Sequence, residues 1–223
     1  TPFKFQVDTW QKFGNGYSGM VVAPTGFGKT FSVFLALVSD FLTHPDQYKK
    51  GLKMIWITPL RSLAKDIAKA MQEAIDEIGL DWAVGVRNGD TDPKERLKQV
   101  KNMPEILVVT PESLQLLLAQ KNNQRFFTSL KCIAIDEWHE LLGSKRGVIV
   151  ELCISQLKFY VPKMKIWGIS ATIGNLDEAM DVLIPYEGKR TKITAKEHKK
   201  IDIIPVFPDE VEILPWAGHL GQK

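Results

Sequence analysis

A glycine-rich segment near the amino end decides the fold of this chain, and it reads Ala23-Pro24-Thr25-Gly26-Phe27-Gly28-Lys29-Thr30. The apolar run Met20 to Ala23 precedes it and the helix-spaced run Lys29 to Leu42 follows it, so the segment connects a predicted strand to a predicted helix. Backbone N–H groups of such a loop, together with the helix N-terminus, form a nest that binds phosphate groups. The sequence therefore predicts a phosphate-binding loop at the end of a strand.

The residue types in this loop fit a nucleoside triphosphate bound with magnesium. Its glycines let the backbone approach the phosphates, Lys29 reaches the β and γ phosphates, and the Thr30 hydroxyl is a Mg²⁺ ligand. Ala23 stands where the strict Walker A pattern has glycine, so a purely structural glycine-rich turn is the alternative. The predicted cofactors are ATP and Mg²⁺, and the residues expected to contact the nucleotide are Thr25, Gly26, Phe27, Gly28, Lys29 and Thr30.

Outward from the loop, short apolar runs alternate with longer amphipathic stretches. The runs that predict strands are Met20 to Ala23, Met54 to Ile57, Ala83 to Val86, Ile106 to Val109, Cys132 to Ile135 and Ile166 to Ile169. The stretches that predict helices are Lys29 to Leu42, Ser62 to Ile78, Pro93 to Lys101, Glu112 to Gln120, Val148 to Phe159 and Leu176 to Leu183. This alternation predicts an α/β domain with a mostly parallel sheet and helices on both faces, and a ligand crevice at the carboxyl ends of the strands.

An acidic pair follows one of these strands. Asp136 and Glu137 come directly after Cys132 to Ile135, where a carboxylate can hold Mg²⁺ and its neighbour can deprotonate an attacking water. We therefore assign Asp136 to the metal and Glu137 to the general base. Acidic residues are also favoured at a helix start by the helix dipole, which is the alternative if the pair stood alone.

His139 lies two residues beyond the general base. We expect it to hydrogen-bond across the crevice to the loop Ser170-Ala171-Thr172, which follows the next strand, and to couple hydrolysis to a second ligand through Ser170 and Thr172. In isolation it would be a packed or surface histidine. Trp138, beside it, is expected to pack rather than to take part in chemistry.

Composition sets limits on the class of protein. The chain has 223 residues, 44% of them hydrophobic, which suits one α/β domain with a full core. Its formal net charge of +3 permits a polyanionic partner without requiring one. Two cysteines in apolar segments and no membrane-length apolar run indicate an intracellular, cytoplasmic protein. We expect the domain to span 1–207, with a last strand or two after position 188 and a proline-containing linker over 208–223.

In this order, the three segments 23–30, 136–139 and 170–172 resemble motifs I, II and III of superfamily 2 helicases of the DExH type. The resemblance implies a RecA-like P-loop NTPase fold, and it assigns Gln6 to the adenine edge of ATP as the glutamine of the family's Q-motif. It also implies a second RecA-like domain whose arginine finger completes the ATP site. The sequence contains no such domain, so we expect the chain alone to hydrolyse ATP poorly.

Two further strand ends resemble motifs Ia and Ib of that family, at 58–64 and 110–114. Strand-to-helix turns of this kind hold nucleic-acid phosphates through N–H groups and hydroxyls without recognising bases, although each could simply be a helix cap begun by proline. Lys145 and Arg146, in a predicted glycine-bounded loop, could contact nucleic acid, contact the second domain or be solvated. The residues expected to line a phosphate track are Thr58, Arg61, Gly89 and Thr110.

Longer segments narrow the resemblance to large-helicase-related (Lhr-type) proteins, particularly the ligase-associated bacterial group; these segments lie at 87–91, 136–147, 167–176 and 215–221. The resemblance implies a DNA-dependent ATPase that moves 3′ to 5′ on single-stranded DNA, in repair beside a DNA ligase and a nuclease. Two alternatives stay open. One is an RNA helicase of the same superfamily, and the other is a nucleotide-binding regulatory module that does not turn over.

Overall fold

The computed structural model describes residues 1–171, 173–185 and 188–195; Thr172 and the predicted boundary at 207 and 208 lie outside these residues. Seven strands form one sheet in the order β3-β4-β2-β5-β6-β1-β7, and every pairing among them is parallel. Their bounds are Ser18–Val22 for β1, Met54–Ile57 for β2, Val84–Arg87 for β3, Ile106–Val109 for β4, Cys132–Ile135 for β5, Lys165–Ser170 for β6 and Arg190–Thr194 for β7. The predicted α/β class and parallel sheet are confirmed.

In the described residues, eight α-helices connect and cover the strands. They are α1 Lys4–Gly14, α2 Lys29–Thr43, α3 Arg61–Ile78, α4 Pro93–Lys101, α5 Pro111–Leu118, α6 Trp138–Leu141, α7 Lys145–Tyr160 and α8 Leu176–Leu183. Two of them, α1 and the single turn α6, were not predicted from the apolar pattern. Helix α1 buries a stripe of Phe5, Thr9 and Phe13 spaced four residues apart, and its central member is polar, which weakens the apolar signal.

Both faces of the sheet are covered, and β2 shows how. Ile55 and Ile57 point into a core shared with α5, α7 and α8, whereas Met54 and Trp56 point into a second core shared with α1, α2 and α3. All four residues are fully buried. Continuous apolar runs therefore mark these strands because neither face meets water.

The prediction of a loop at Lys145 and Arg146 was wrong, because α7 begins at Lys145, three residues before the predicted Val148. Ser144 caps this helix by accepting a hydrogen bond from the Gly147 N–H at 3.1 Å. Gly147 is required there, since a Cβ at this position would lie 2.1 Å from the Leu141 carbonyl oxygen. The glycine allows α7 to start directly against the end of α6.

None of the helices in the described ranges is long and apolar enough to cross a bilayer. Cys132 and Cys153 are both buried, free thiols, and burial raises the pKa of each above its ordinary value.

Candidate nucleotide and nucleic-acid site

The carboxyl ends of three adjacent strands bring the predicted nucleotide-site residues together. Strands β5, β6 and β1 are neighbours in the sheet. The acidic pair follows β5, Ser170 is the last residue of β6 and Ala171 follows it, and the glycine-rich loop follows β1. Val22 at the end of β1 lies in register with Ser170 at the end of β6. Segments far apart in sequence therefore meet at one edge, as expected for the ligand crevice of a parallel α/β sheet.

The loop after β1 has the backbone of a phosphate-binding nest. Gly26 and Gly28 adopt left-handed conformations with φ of 88° and 74°, which residues with a Cβ rarely adopt. Thr25 and Gly26 are exposed, whereas Lys29 is only 7% exposed at the start of α2. Its Nζ has no hydrogen-bond partner among the described residues, and the Glu137 Oε1 atom lies 4.0 Å away. A buried ammonium without a hydrogen-bond partner is costly, so this one is placed for an anionic ligand.

Gln6 braces the glycine-rich loop from α1. Its Nε2 donates to the Gly28 carbonyl oxygen at 3.1 Å, and its Oε1 accepts from the Phe3 N–H at 2.9 Å. A Cβ at Gly28 would lie 2.9 Å from the Gln6 Nε2 atom, so the close approach requires glycine. The rings of Phe3 and Phe27 pack at 5.5 Å beside this contact. The structure thus places Gln6 at the loop, and its assignment to the adenine edge stays a prediction.

The acidic pair after β5 combines burial with an unusual backbone. Asp136 is 7% exposed, and its Oδ1 accepts from the Glu137 N–H at 3.0 Å. Burial, followed by the neighbouring Glu137 carboxylate, raises the pKa of Asp136 to about 6. Glu137 adopts a left-handed conformation with φ of 46°, which is uncommon for a residue with a side chain and is frequent at functional sites. Trp138 is fully buried and donates to the Ala179 carbonyl at 3.1 Å, so it packs as expected.

His139 lies between the acidic pair and the end of β6. Its Nδ1 is 2.8 Å from the Ser170 Oγ and 3.4 Å from the Glu137 Oε2, and its Nε2 is 3.3 Å from the Glu140 Oε1. The contact between His139 and Ser170 predicted from the sequence is therefore present. Thr172, the other residue predicted to couple the sites, lies outside the described residues.

These residues fit a magnesium-bound nucleoside triphosphate. The orphaned Lys29 Nζ suits phosphate oxygens, and the loop would hold the phosphates through its N–H groups. The side chains of Thr30 and Asp136 supply the oxygen donors that Mg²⁺ prefers. Glu137 Oε2 is buried without a hydrogen-bond partner in the described part of the chain, 3.4 Å from His139 Nδ1, and a carboxylate oxygen of this kind can accept a proton.

The four residues predicted to line a phosphate track differ in their access to solvent. The Arg61 side chain is 58% exposed, and its guanidinium lies against the exposed Gly89, where an added Cβ would be 2.8 Å from Cζ. Thr58 and Thr110 are each only 1% exposed. The Thr110 hydroxyl donates to the Ser113 hydroxyl at 3.1 Å, and the Thr58 hydroxyl accepts from the Leu60 N–H at 3.4 Å. Arg61 and Gly89 are therefore brought together at the surface, and the two hydroxyls lie beneath it.

Sequence reasoning missed a brace among these loops. Arg146 on α7 donates from Nε to Glu112 Oε1 at 2.6 Å, from Nη2 to Glu112 Oε2 at 3.3 Å, and from Nη1 to the Pro59 carbonyl at 2.7 Å. No local pattern predicts it, because Glu112 is 34 residues away in the chain and Pro59 is 87 away. Arg146 is thus paired within the domain while its side chain stays 36% exposed, and its contact with nucleic acid or with a second domain stays a prediction.

Parallel strands, a phosphate loop and a buried strand-end carboxylate pair together define the nucleotide-binding domain of a RecA-like P-loop NTPase. The chain belongs to the DEAD/DEAH box helicase family, whose model matches residues 3–179. The resemblance to Lhr-type helicases is confirmed by curated relatives such as the ATP-dependent helicase Lhr-Core of Saccharolobus solfataricus, which is 31% identical over 202 residues, 86% of this chain and 23% of the relative. The chain thus spans about a quarter of that relative's length.

Solved helicase structures share the fold. The structure of Mycobacterium smegmatis helicase Lhr bound to ssDNA and AMP-PNP matches with a TM-score of 0.75 and 28% identity, over 91% of this chain and 27% of that one. The helicase MrfA bound to DNA and AMPPNP matches with a TM-score of 0.74 and 26% identity, over 85% of this chain and 26% of the other. These matches confirm the predicted RecA-like fold.

Proposed function

We propose that this chain is the first RecA-like domain of an ATP-driven motor that hydrolyses ATP to move along single-stranded DNA. The main observation in support is the buried Lys29 ammonium, unpaired by any hydrogen bond among the described residues and 4.0 Å from Glu137 Oε1. A cation and a carboxylate at this spacing, beside a phosphate nest, suit phosphate binding and activation of water at one place.

Each residue of the site has a distinct task in this proposal. The loop Thr25 to Gly28 and Lys29 hold the phosphates and stabilise the charge that grows on them. Glu137 accepts the proton of the attacking water. Mg²⁺, held by Thr30 and Asp136, would neutralise phosphate charge. Gln6 fixes the position of the loop, and it would contact the base if its amide exchanged its present partners for the adenine edge.

His139 couples the hydrolysis site to the nucleic acid. It contacts both Glu137 and Ser170, so a shift of the β6 end changes the surroundings of the general base. Such coupling needs a second structural state and a ligand whose affinity differs between the two states. Closure of the domains around ATP would provide the second state, and ATP would be that ligand. The second RecA-like domain, with its arginine finger, belongs to this proposal because arginine fingers accelerate phosphoryl transfer by orders of magnitude.

Single-stranded DNA is the proposed track because helicase Lhr and MrfA, at 28% and 26% identity, were both solved with DNA. Movement 3′ to 5′, a role in repair inside the cell and association with a DNA ligase and a nuclease are further parts of the proposal, supported only by the resemblance to ligase-associated Lhr-type proteins. The phosphate contacts proposed for Arg61 and Gly89 do not recognise a 2′-hydroxyl, so RNA is the alternative track that the experiment must separate.

The test is steady-state ATP hydrolysis by the full-length protein with single-stranded DNA, single-stranded RNA or neither. Glu137→Gln serves as the inactive control, since it keeps the shape of the side chain and removes the base. We expect DNA to stimulate turnover at least 10-fold and RNA to do so much less, and we expect Glu137→Gln to reduce turnover about 100-fold or more. Stimulation by RNA alone would identify an RNA helicase, and nucleotide binding without turnover under any condition would favour a regulatory module.

A further inference from the structure

Arg146, on α7, joins the start of α5 to the turn before α3, close to the two proposed ligand sites. Its guanidinium is bidentate to Glu112, in the first turn of α5, and it also bonds the carbonyl of Pro59, in the turn before α3. These two turns follow β4 and β2, and they are the segments proposed to hold DNA phosphates. A planar guanidinium with a bidentate partner and a third acceptor fixes the mutual geometry of the groups that it bonds.

The helix that presents Arg146 is connected directly to the hydrolysis site. After β5 the chain runs through Glu137, the turn α6 with His139, and then α7, whose second residue is Arg146. Gly147 allows this first turn to lie against the carbonyl of Leu141, where a Cβ could not fit. Only nine positions therefore separate the proposed general base from the guanidinium, and most of them are helical.

A cavity shows the same connection in space. It has a volume of about 440 Å³, and its lining includes Glu137, His139 and Arg146 together with Pro59, Leu60 and Thr25. The proposed general base, the guanidinium and the turn before α3 thus border one solvent-accessible space. A displacement of that turn would change the shape of the cavity that Arg146 and Glu137 both line.

The bond between Arg146 and Glu112 is ionic at neutral pH. Burial acts against ionisation of Glu112, but hydrogen bonds and the charge from Arg146 outweigh it, so the pKa of Glu112 is lower than its ordinary value. The two side chains are 36% and 42% exposed, and ion pairs at that exposure contribute little to folding stability. The pair therefore serves geometry more than stability.

We propose that Arg146 is a positioning residue that transmits the binding of single-stranded DNA, at the turns before α3 and α5, to Glu137. This inference rests on the proposed function as a DNA-stimulated ATPase. In it, Arg146 contacts neither ATP nor DNA; it holds the two turns and α7 as one unit, so a DNA-induced shift of the turns moves the general base.

The experiment measures ATP hydrolysis by the full-length protein and its Arg146→Gln, Arg146→Lys and Glu112→Gln variants, with Lys69→Gln as the control for loss of a cation. Lys69 lies on α3, and its side chain is 77% exposed. We expect Arg146→Gln to reduce the ratio of DNA-stimulated to DNA-independent turnover about 10-fold, with KM for ATP changed less than 2-fold. The ratio for Arg146→Lys should lie between those of Arg146→Gln and the unsubstituted protein, because lysine keeps the charge and cannot form the bidentate contact. Lys69→Gln should behave as the unsubstituted protein does.

Two further measurements separate positioning from other roles. Arg146→Gln combined with Glu112→Gln should be no worse than Arg146→Gln alone, because Arg146→Gln already breaks the contact with Glu112. The slope of DNA affinity against salt should stay the same in Arg146→Gln, whereas loss of a direct phosphate contact would reduce it by about 1. If Arg146→Gln does not fold, Glu112→Gln makes the same test.

An unchanged stimulation ratio in the folded variants, or a reduced salt slope, would overturn the inference. The proposed function would fail separately, if DNA did not stimulate the unsubstituted protein at all.

Discussion

The glycine-rich loop and the two turns proposed to hold nucleic acid, before α3 and before α5, lie at the same edge of the sheet, and they differ in how their polar groups are hydrogen-bonded. At the nucleotide site, Lys29 Nζ and Glu137 Oε2 are buried without hydrogen-bond partners among the described residues. At the turns after β2 and β4, the polar groups of Thr58 and Thr110 are bonded within the domain, and Glu112 is bonded to Arg146.

This difference separates two kinds of ligand site. Buried charged groups without hydrogen-bond partners are destabilising until a ligand satisfies them, so we expect the nucleotide site to bind one charged ligand. Turns whose groups are already satisfied gain less from a ligand unless they rearrange, and rearrangement is what can transmit binding to another site. We therefore expect substitutions at the nucleotide site to affect binding strongly and substitutions at the turns to affect coupling.

The largest expected effect is at Lys29. Lys29→Ala removes the orphaned ammonium, and we expect nucleotide affinity to fall at least 100-fold, because charge-assisted contacts to phosphate are among the strongest available to a protein. Single-stranded DNA should bind as before in the absence of nucleotide. Titration calorimetry with a non-hydrolysable ATP analogue and fluorescence anisotropy with labelled DNA measure the two affinities. Equal losses of both would show that the two sites are not separable in this way.

Asp136 provides a test of stability. The pKa of Asp136 is about 6 in the folded chain, against an ordinary value of 3.8. Protonation of this carboxylate therefore stabilises the folded state between these two pH values, and the free energy of unfolding falls as the pH rises from the lower to the higher. Above pH 7 the charged carboxylate lowers the free energy of unfolding by about 2 to 3 kcal/mol. Asp136→Asn should raise the free energy of unfolding of the nucleotide-free protein by that amount at pH 7.5, and by less than half as much at pH 4.5.

Equilibrium denaturant unfolding in chelator, followed by tryptophan fluorescence, measures this stability. Glu140→Gln is the control, since Glu140 is an exposed carboxylate of the same segment. A destabilised Asp136→Asn at pH 7.5 would mean that the ionised carboxylate is favoured in the fold even without metal.

His139 should affect coupling and leave binding intact. His139→Ala removes the contact with Ser170, so we expect DNA stimulation of turnover to fall about 10-fold while nucleotide affinity changes less than 2-fold. Turnover at saturating DNA and analogue titration on the same preparation provide the comparison. Loss of nucleotide affinity with unchanged stimulation would place His139 in the binding site instead.

The smallest expected effect is at Gly89. Gly89→Ala would push the Arg61 guanidinium away, since the new Cβ would lie 2.8 Å from Cζ, and we expect DNA affinity to fall about 3-fold. Gly174→Ala is a matched control because nothing lies within 4 Å of a Cβ there. Anisotropy at two salt concentrations measures the change. If Gly89→Ala binds DNA as Gly174→Ala does, Arg61 does not contact the phosphates.

Patterns local in sequence predicted most of the fold, and they indicated residues that the structure brings together at the strand ends. The buried strands were predictable because both of their faces are apolar, and the loop at 23–30 was predictable because its glycines and lysine each have a physical task. Helix α1 was missed because its buried stripe includes Thr9, and the start of α7 was misplaced because its first turn is polar. The brace from Arg146 to Glu112 depends on two segments that only the sheet brings together, so no spacing in the sequence could indicate it.

The most direct measurement of the central claim is the affinity of the full-length Glu137→Gln protein for ATP, with and without saturating single-stranded DNA. We expect this variant to bind ATP without hydrolysing it, so the change reports the coupling between the two sites alone. Linkage requires the same factor in both directions. We predict that DNA raises ATP affinity at least 5-fold and that ATP raises DNA affinity by the same factor. Equal affinity with and without DNA would contradict a motor in which these two sites are coupled.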